Sequence, residues 1–449
     1  MDMPRQRRHP VSNIALQEAI AAAGKPYAKV AETINAVGAE NGRAMYYDAA
    51  AIAHWLSGTV PMAGTIPIIV ETFTRLLGHD LTAPDLGWPH IEAVSEEPWG
   101  GDPVTWVARL GKDDMLNRRS LLTTGLYSLA ALNLPTEPHI ITARSGEPRR
   151  AGASDVERIR TMCGQFSTAD DLFGGGHARA AVLAYLIHEV APLLHGTTGR
   201  ARPELFTAAS QMTYLAAFMA SDAGDAAGLA QRYYIQAIRL AEEAGDPTAK
   251  ATALRGLATQ AVELGHPTRA VDLAEAAAST LSGGCPARAR AWMAGMCADA
   301  HAANGNTRAA LNALRQAEVN LDRADSVPEA QWTGAYRRAS LEHQTGTALA
   351  QLADLPAAER HLSNSVRARH GGERRSRVLI ASRLAGLQVR RRCPDTAAAT
   401  ILELREDLPL LTSGRVKNEL TRLRSAWVPA RTNPAVGRAD RLISSLANR

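Results

Sequence analysis

The chain has 449 residues, more than one ordinary core accommodates, so several domains or a repeat array are expected. Apolar residues make up 46% but aromatics only 5%, with alanine supplying much of the apolar count, which disfavours an extensive β-sheet and favours closely packed helices. The net charge of +5 is unevenly placed: Arg360 to Arg449 holds 19 basic against 7 acidic residues, an end suited to an acidic partner or nucleic acid, or simply a solvated arginine-rich helical surface.

The basic start, Met1 to Pro10, is followed by no apolar run, so no secretory signal is expected. Helical periodicity begins at Asn13. Asn13–Ala23 is apolar at Ile14, Leu16, Ala19 and Ile20, and Gly24 ends it. A second helix starts at Pro26, with Tyr27, Val30, Ala31 and Ile34 on one face. After the polar loop 38–42, Asp48 is placed to cap a third helix carrying Ala51, Ile52, Trp55 and Leu56. Ser57-Gly58-Thr59-Val60-Pro61 closes it, and Thr65 to Leu77 makes a fourth.

This order resembles the lambda-repressor-like helix-turn-helix units of bacterial regulators, with an enlarged loop between scaffold and recognition helices. The resemblance rests on Asp48 and on Trp55-Leu56-Ser57-Gly58 ahead of Pro61. It implies that Tyr46, Tyr47, Asp48, Ala50, Ala51 and His54 face DNA, with Arg5, Arg7 and Arg8 as an arm on phosphate or in the minor groove. Against that stand the composition of the third helix, which holds no Arg, Lys, Asn or Gln, and seven basic against eight acidic residues over 1–90. The alternative is a helix-turn-helix fold kept for dimerisation or partner contact.

Residues 1–90 are thus read as one domain and 91–153 as a linker with one buried helix, from about Asp114 to Leu134. Arg118-Arg119-Ser120-Leu121-Leu122 superficially resembles a twin-arginine export signal. Its apolar run is broken by Thr123, Thr124 and Ser128 and is too short to span a bilayer, so it is assigned to that internal helix. The segment from Pro135 to Gly152 is rich in Pro, Gly and Arg and reads as the linker proper.

From 154 to 449 the reading is an all-α, tetratricopeptide-like superhelical solenoid. Three segments share small residues where paired helices approach and a turn between them. They are Leu254/Ala258/Gly265/Ala270/Ala274, then Ala294/Ala298/Gly305/Ala310/Leu314 after 40 residues, then Glu342/Gly346/Ala353/Ala358/Leu362 after a further 48. Looser copies precede them around Ala217, Gly224 and Ala230, and follow around Gly386, Cys393 and Ala397, giving five units. Helices at about Asp155–Ser167, His177–Leu194, Val416–Trp427 and Pro434–Ala447 extend or cap the array.

The whole chain resembles actinomycete regulators that join a divergent helix-turn-helix domain to a tetratricopeptide array, and more distantly the peptide-pheromone receptors of Gram-positive bacteria. Three positions carry this: Trp55 to Gly58, the Arg118-Arg119 helix, and Asp171-Leu172-Phe173-Gly174-Gly175-Gly176-His177-Ala178-Arg179. The resemblance implies control of development or secondary metabolism, sensed through the repeats.

No protease, kinase, nucleotide-binding or hydrolase fingerprint occurs, so no catalytic residue and no cofactor are assigned. Cys163, Cys285, Cys297 and Cys393 lack metal-ligand or disulfide spacing, which suits a reduced cytoplasm. The pair Asp170-Asp171 reads as a helix cap, and Gly174 to Gly176 as a tight turn between helices. In a tetratricopeptide superhelix the first helix of each pair lines the concave wall. That register nominates Gln211, Tyr214, Phe218, Arg255, Thr259, Trp292, Asp299, His343, Thr347 and Arg383 for a peptide, protein or small-molecule ligand. The expected function is a cytoplasmic, homodimeric transcriptional regulator binding DNA, with no membrane association. The alternative is a scaffold that sequesters another regulator.

Overall fold

The structure, a computed structural model, describes residues 13–89, 99–116, 126–134, 151–224, 227–281, 285–324, 336–369 and 371–447. It is all-helical, with no strand among the described residues. None of their helices is long and apolar enough to cross a membrane. The chain divides into two compact units, Met1–Glu97 with Asn117–Leu134, and Pro98–Leu116 with Pro135–Arg449.

The first unit contains α1 (Ile14–Ala23), α2 (Tyr27–Glu40), α3 (Ala49–Leu56) and α4 (Ile66–Leu77), close to the expected bounds. Asn13 and Asp48 cap α1 and α3, their side chains accepting from the amides of Leu16 and Ala51 at 3.0 Å. Gly24 and Gly78 end α1 and α4 in the left-handed region. Leu16, Ile34, Ile52, Ile69 and Phe73 form the core. Within it Trp55 meets Tyr47 and Trp88 edge-on, with centroids 5.0 and 6.4 Å away. Residues 126–134 belong to this unit: Asn41 accepts from the Tyr127 amide at 2.7 Å and Glu71 from the Leu129 amide at 3.0 Å.

Of the helix expected from Asp114 to Leu134, residues 114–116 fall in α5 (Pro103–Leu116), 117–125 lie outside the described residues, and the C-terminal part is corrected, since 126–134 are irregular apart from one 3-10 turn, Ala130–Leu132. Asp102 sets the earlier start by accepting from the amides of Val104 and Thr105 at 3.2 and 3.0 Å, with Pro103 at the first helical position. The stretch Arg118 to Leu122 lies outside the described residues. Helix α5 packs in the second unit, where both Asp114 oxygens receive Arg179 at 2.5 and 2.6 Å.

The second unit starts with α6 (Ala153–Phe173), α7 (Gly175–Tyr185), a π turn over Leu186–Val190 and α8 (Ala191–Gly196). Five antiparallel pairs follow, the first three being α9 (Ala201–Ala223) with α10 (Ala227–Ala244), α11 (Pro247–Glu263) with α12 (Pro267–Thr280), and α13 (Ala287–Ala303) with α14 (Thr307–Asp322). The last two are α15 (Arg338–Gln351) with α16 (Leu355–Arg367), and α17 (Arg374–Arg390) with α18 (Pro394–Leu402). Helices α19 (Gly414–Ala426) and α20 (Pro434–Ala447) finish the chain. One turn design joins four of the pairs. A left-handed residue (Gly265, Gly305, Ala353 or Arg392) is followed by the capping position and then by the first helical residue. Asn306 and Asp354 accept at those caps from the amides of Ala309 and Ala357.

The array is not an open superhelix, because its end returns to its beginning. The Thr412 amide donates to the Phe173 carbonyl at 2.7 Å, and the Thr412 carbonyl accepts from the Gly176 amide at 3.1 Å. Asp222, fully buried at the end of α9, accepts from the Gly175 amide and from the Ser413 hydroxyl, each at 2.9 Å. The glycine run is needed for this approach: a Cβ on Gly174 would stand 2.6 Å from the Thr412 oxygen, and one on Gly175 2.7 Å from the Met219 oxygen. Asp170 and Asp171 are corrected as well. They lie within the last turns of α6 and hold Arg375 of α17 at 3.0 and 3.1 Å, an ion pair rather than a helix cap.

Two stability effects follow. A left-handed alanine costs about 1–2 kcal/mol, and glycine's freedom in the unfolded chain returns about 0.4–1 kcal/mol of any relief. Ala353→Gly is therefore expected to stabilise modestly, read as a higher urea midpoint at unchanged slope. Gly414→Ala drives a Cβ into the Ala223 carbonyl at the closure. It should cost about 1–3 kcal/mol, as overpacking does, measured by the same titration.

Candidate functional site

Closure converts the concave wall of the array into a cavity of about 790 Å³ inside the second unit. Nine of the ten nominated residues line it: Tyr214, Phe218, Arg255, Thr259, Trp292, Asp299, His343, Thr347 and Arg383. They come from α9, α11, α13, α15 and α17, the first helices of the five pairs, whose three- and four-residue spacings return to one face. Gln211 sits a turn before Tyr214, half-buried and away from the lining.

One wall is aromatic. Tyr214 and Phe218 stack with centroids 6.3 Å apart, and the Arg375 guanidinium lies 4.9 Å from the Phe218 ring centre. Trp292 carries Arg255 over its face at 4.3 Å. The rest is densely charged. Arg383 reaches Glu419 at 3.1 Å and Glu263 at 3.4 Å, and Arg415 also pairs with Glu263. Arg369 holds Glu373 at 2.7 Å. Arg383 donates to His343 Nε2 at 3.3 Å. Burial, reinforced by Arg383, Arg369 and Arg415, holds His343 well below its usual range, so the imidazole is neutral and accepts this bond.

Arg255 and Asp299 differ from this network. Among the described residues the Arg255 guanidinium has no carboxylate in ion-pair contact, and its Nε is buried without a hydrogen-bond partner. One oxygen of Asp299 is likewise buried and unpartnered, while the other accepts from Gln344 Nε2 at 3.4 Å. Gln344 is fixed by the Tyr336 hydroxyl, which donates to its oxygen at 2.6 Å. Gly295 leaves the room for this chain, since a Cβ there would stand 2.7 Å from the Tyr336 oxygen. Burial pushes the Asp299 carboxyl up to about 7 against the opposing pull of Arg255, Arg383 and Gln344.

Sequence reasoning missed Arg375, Arg415, Glu263, Tyr336 and Gln344. Arg375 shares α17 with the nominated Arg383 but lies two turns before it, and Arg415 lies on α19, outside the five pairs. Tyr336 stands just before α15, outside any repeat register, and Gln344 is next to the nominated His343.

In the first unit, Arg5, Arg7 and Arg8 lie outside the described residues. Tyr46, Asp48, Ala50 and His54 are exposed along the start and outer face of α3, Tyr46 at 91%. Tyr47 and Ala51 are corrected to inward positions. Asn35 holds both backbone groups of Tyr47, at 2.8 and 2.9 Å, its hydroxyl meets Thr65 at 3.1 Å and its ring packs on Trp55. Ala51 packs against the same core. Arg75 is held by Glu71 and Glu40 at 2.8 and 2.7 Å, and Arg43 by the Gly64 carbonyl, so neither is free to meet a phosphate.

A family model described as the SP15 N-terminal domain matches residues 16–89, which run from α1 past α4. No curated protein matches the chain.

Asp299 offers a pH test. In the unfolded chain it ionises near 3.8, whereas in the fold it keeps its proton to about 7. Its contribution to stability is therefore fully present below the lower value and is lost as pH rises through the upper one. Asp299→Asn should match the parent near pH ~4 and exceed it in melting temperature near pH ~8. Equal melting temperatures at both ends would contradict the shift.

Proposed function

We propose that this chain is a cytoplasmic, non-enzymatic, ligand-responsive transcriptional regulator, whose repeat array senses a small ligand and whose N-terminal helical unit gives the output on DNA. The observation that carries the sensing half is the cavity. It encloses an arginine and a carboxyl group that lack ion-pair partners, beside an aromatic wall. Its volume lies in the range of small-molecule pockets, about 300–1,000 Å³. A small molecule or the end of a peptide suits it, and a globular protein does not.

The output half draws on the helix order of the first unit and on the resemblance to helix-turn-helix regulators. The exposed residues Tyr46, Asp48, Ala50 and His54 would approach the groove, and Arg5, Arg7 and Arg8 the backbone. A near-neutral unit binds phosphate weakly, so two copies are required and the active form is a homodimer. A second reading keeps the ligand and replaces DNA by a protein partner, making the chain an adaptor. It is favoured by the absence of any arginine or lysine on α3.

Selection of genomic fragments by the full chain, followed by salt titration, tests the output. Promoter-selective binding that weakens steeply with salt and is lost in the Arg5/Arg7/Arg8→Ala variant is expected. Binding that is unselective, or unchanged in that variant, overturns the DNA output in favour of the adaptor.

A further inference from the structure

The cavity reading can be taken to a ligand class by asking which of its charges are already satisfied. Its lining contains seven arginines and six carboxylates. Glu263, Glu373, Glu419, Asp170 and Asp171 are each engaged by at least one arginine. Of the lining arginines that are not solvent-exposed, only Arg255 has no carboxylate in contact among the described residues. Asp299 is the one lining carboxylate with no arginine in contact, although Arg255 is the cation that acts on it most strongly. The two are thus complementary buried groups without contact between them.

Each is engaged away from the other. Arg255 is kept on the Trp292 face at 4.3 Å, and Asp299 is tied back through Gln344 to Tyr336. Desolvated charges kept from each other are costly, and a guest that inserts between them with the complementary pattern recovers both interactions. The guest must present an anion to Arg255 and an N–H or O–H donor to Asp299. Its body must match Tyr214, Phe218 and the apolar Leu215, Val262 and Met296.

We propose that the cavity binds a compact, flat apolar molecule bearing a carboxylate with an amino or hydroxyl donor beside it, the carboxylate on Arg255 and the donor on Asp299. This rests on the sensing half of the proposed function and is independent of DNA. Inorganic anions lack the donor and the apolar body, and simple amines lack the group that Arg255 requires.

Three indoles of nearly equal size separate the contributions: L-tryptophan with both groups, indole-3-propionate with the carboxylate alone, and tryptamine with the amine alone. Their affinities for the full-length protein are read by ligand-observed NMR, each competed against the others. Tryptophan should bind roughly tenfold more tightly than either single-group analogue, the size of one lost charged hydrogen bond. Arg255→Met should remove the advantage of tryptophan over tryptamine, and Arg255→Lys should restore part of it. Asp299→Asn should narrow the gap between tryptophan and indole-3-propionate. Melting curves establish that each variant is folded. Tryptamine binding best, or the three binding alike, overturns the charge assignment while leaving a ligand cavity in place. Failure of all three to bind also overturns it, and a wider fragment screen then decides whether the cavity takes any ligand.

Discussion

The second unit depends on one buried carboxylate. Asp222 accepts from the Gly175 amide at the start of α7 and from the Ser413 hydroxyl that caps α19, so three helix ends meet at one charge. Both acceptor bonds are charge-assisted and shielded from water, where such bonds are strongest and their loss most costly. A helical array of this kind ordinarily has only nearest-neighbour contacts and two free ends. Here the segment entering α19 meets the ends of α6, α7 and α9, and the array gains a contact spanning nearly two hundred residues.

That contact changes what the concave wall can do. An open groove is wide enough for a helix or strand of a partner and exposes its arginines to water and salt, where each contributes little. Closing it confines the same residues to a space suited to a small molecule and lowers the local dielectric. The charges must then be paired in place, as Arg375 is with Asp170 and Asp171 and Arg415 with Glu263. Arg255 and Asp299 are the exceptions to this pairing among the buried and half-buried lining charges, and the ligand class proposed above rests on them.

Much of this was legible in the sequence, and the illegible part has one physical origin. The paired helices could be read because alanine and glycine must recur where backbones approach, and the wall residues because three- and four-residue spacing keeps them on one face. The same local logic located α1 to α4. It misplaced Tyr47, which Asn35 draws inward from the preceding helix α2, since no pattern at the start of α3 shows that bond. It also passed over Asp102-Pro103, a cap-and-start signal standing in plain view, and so set α5 too late. Closure was invisible to it, because Asp170 and Arg375 are 205 positions apart and no periodicity links them. Its trace was present all the same in the glycine run from Gly174 to Gly176, whose lack of side chains is what the returning Thr412 requires.

The uneven charge of the chain takes on a different meaning in this light. The basic excess after Arg360 invites an external acidic surface or nucleic acid as its counterpart. A good part of it instead meets carboxylates of the same unit. Arg375 takes Asp170 and Asp171, and Arg383 and Arg415 take Glu263, all from the acidic stretch before Arg360. Arg374 adds a bond to the Leu172 carbonyl at 2.9 Å. The Asp222 tie and the glycine approach fix the register. The arginines engaged at the closure are therefore not available to phosphate.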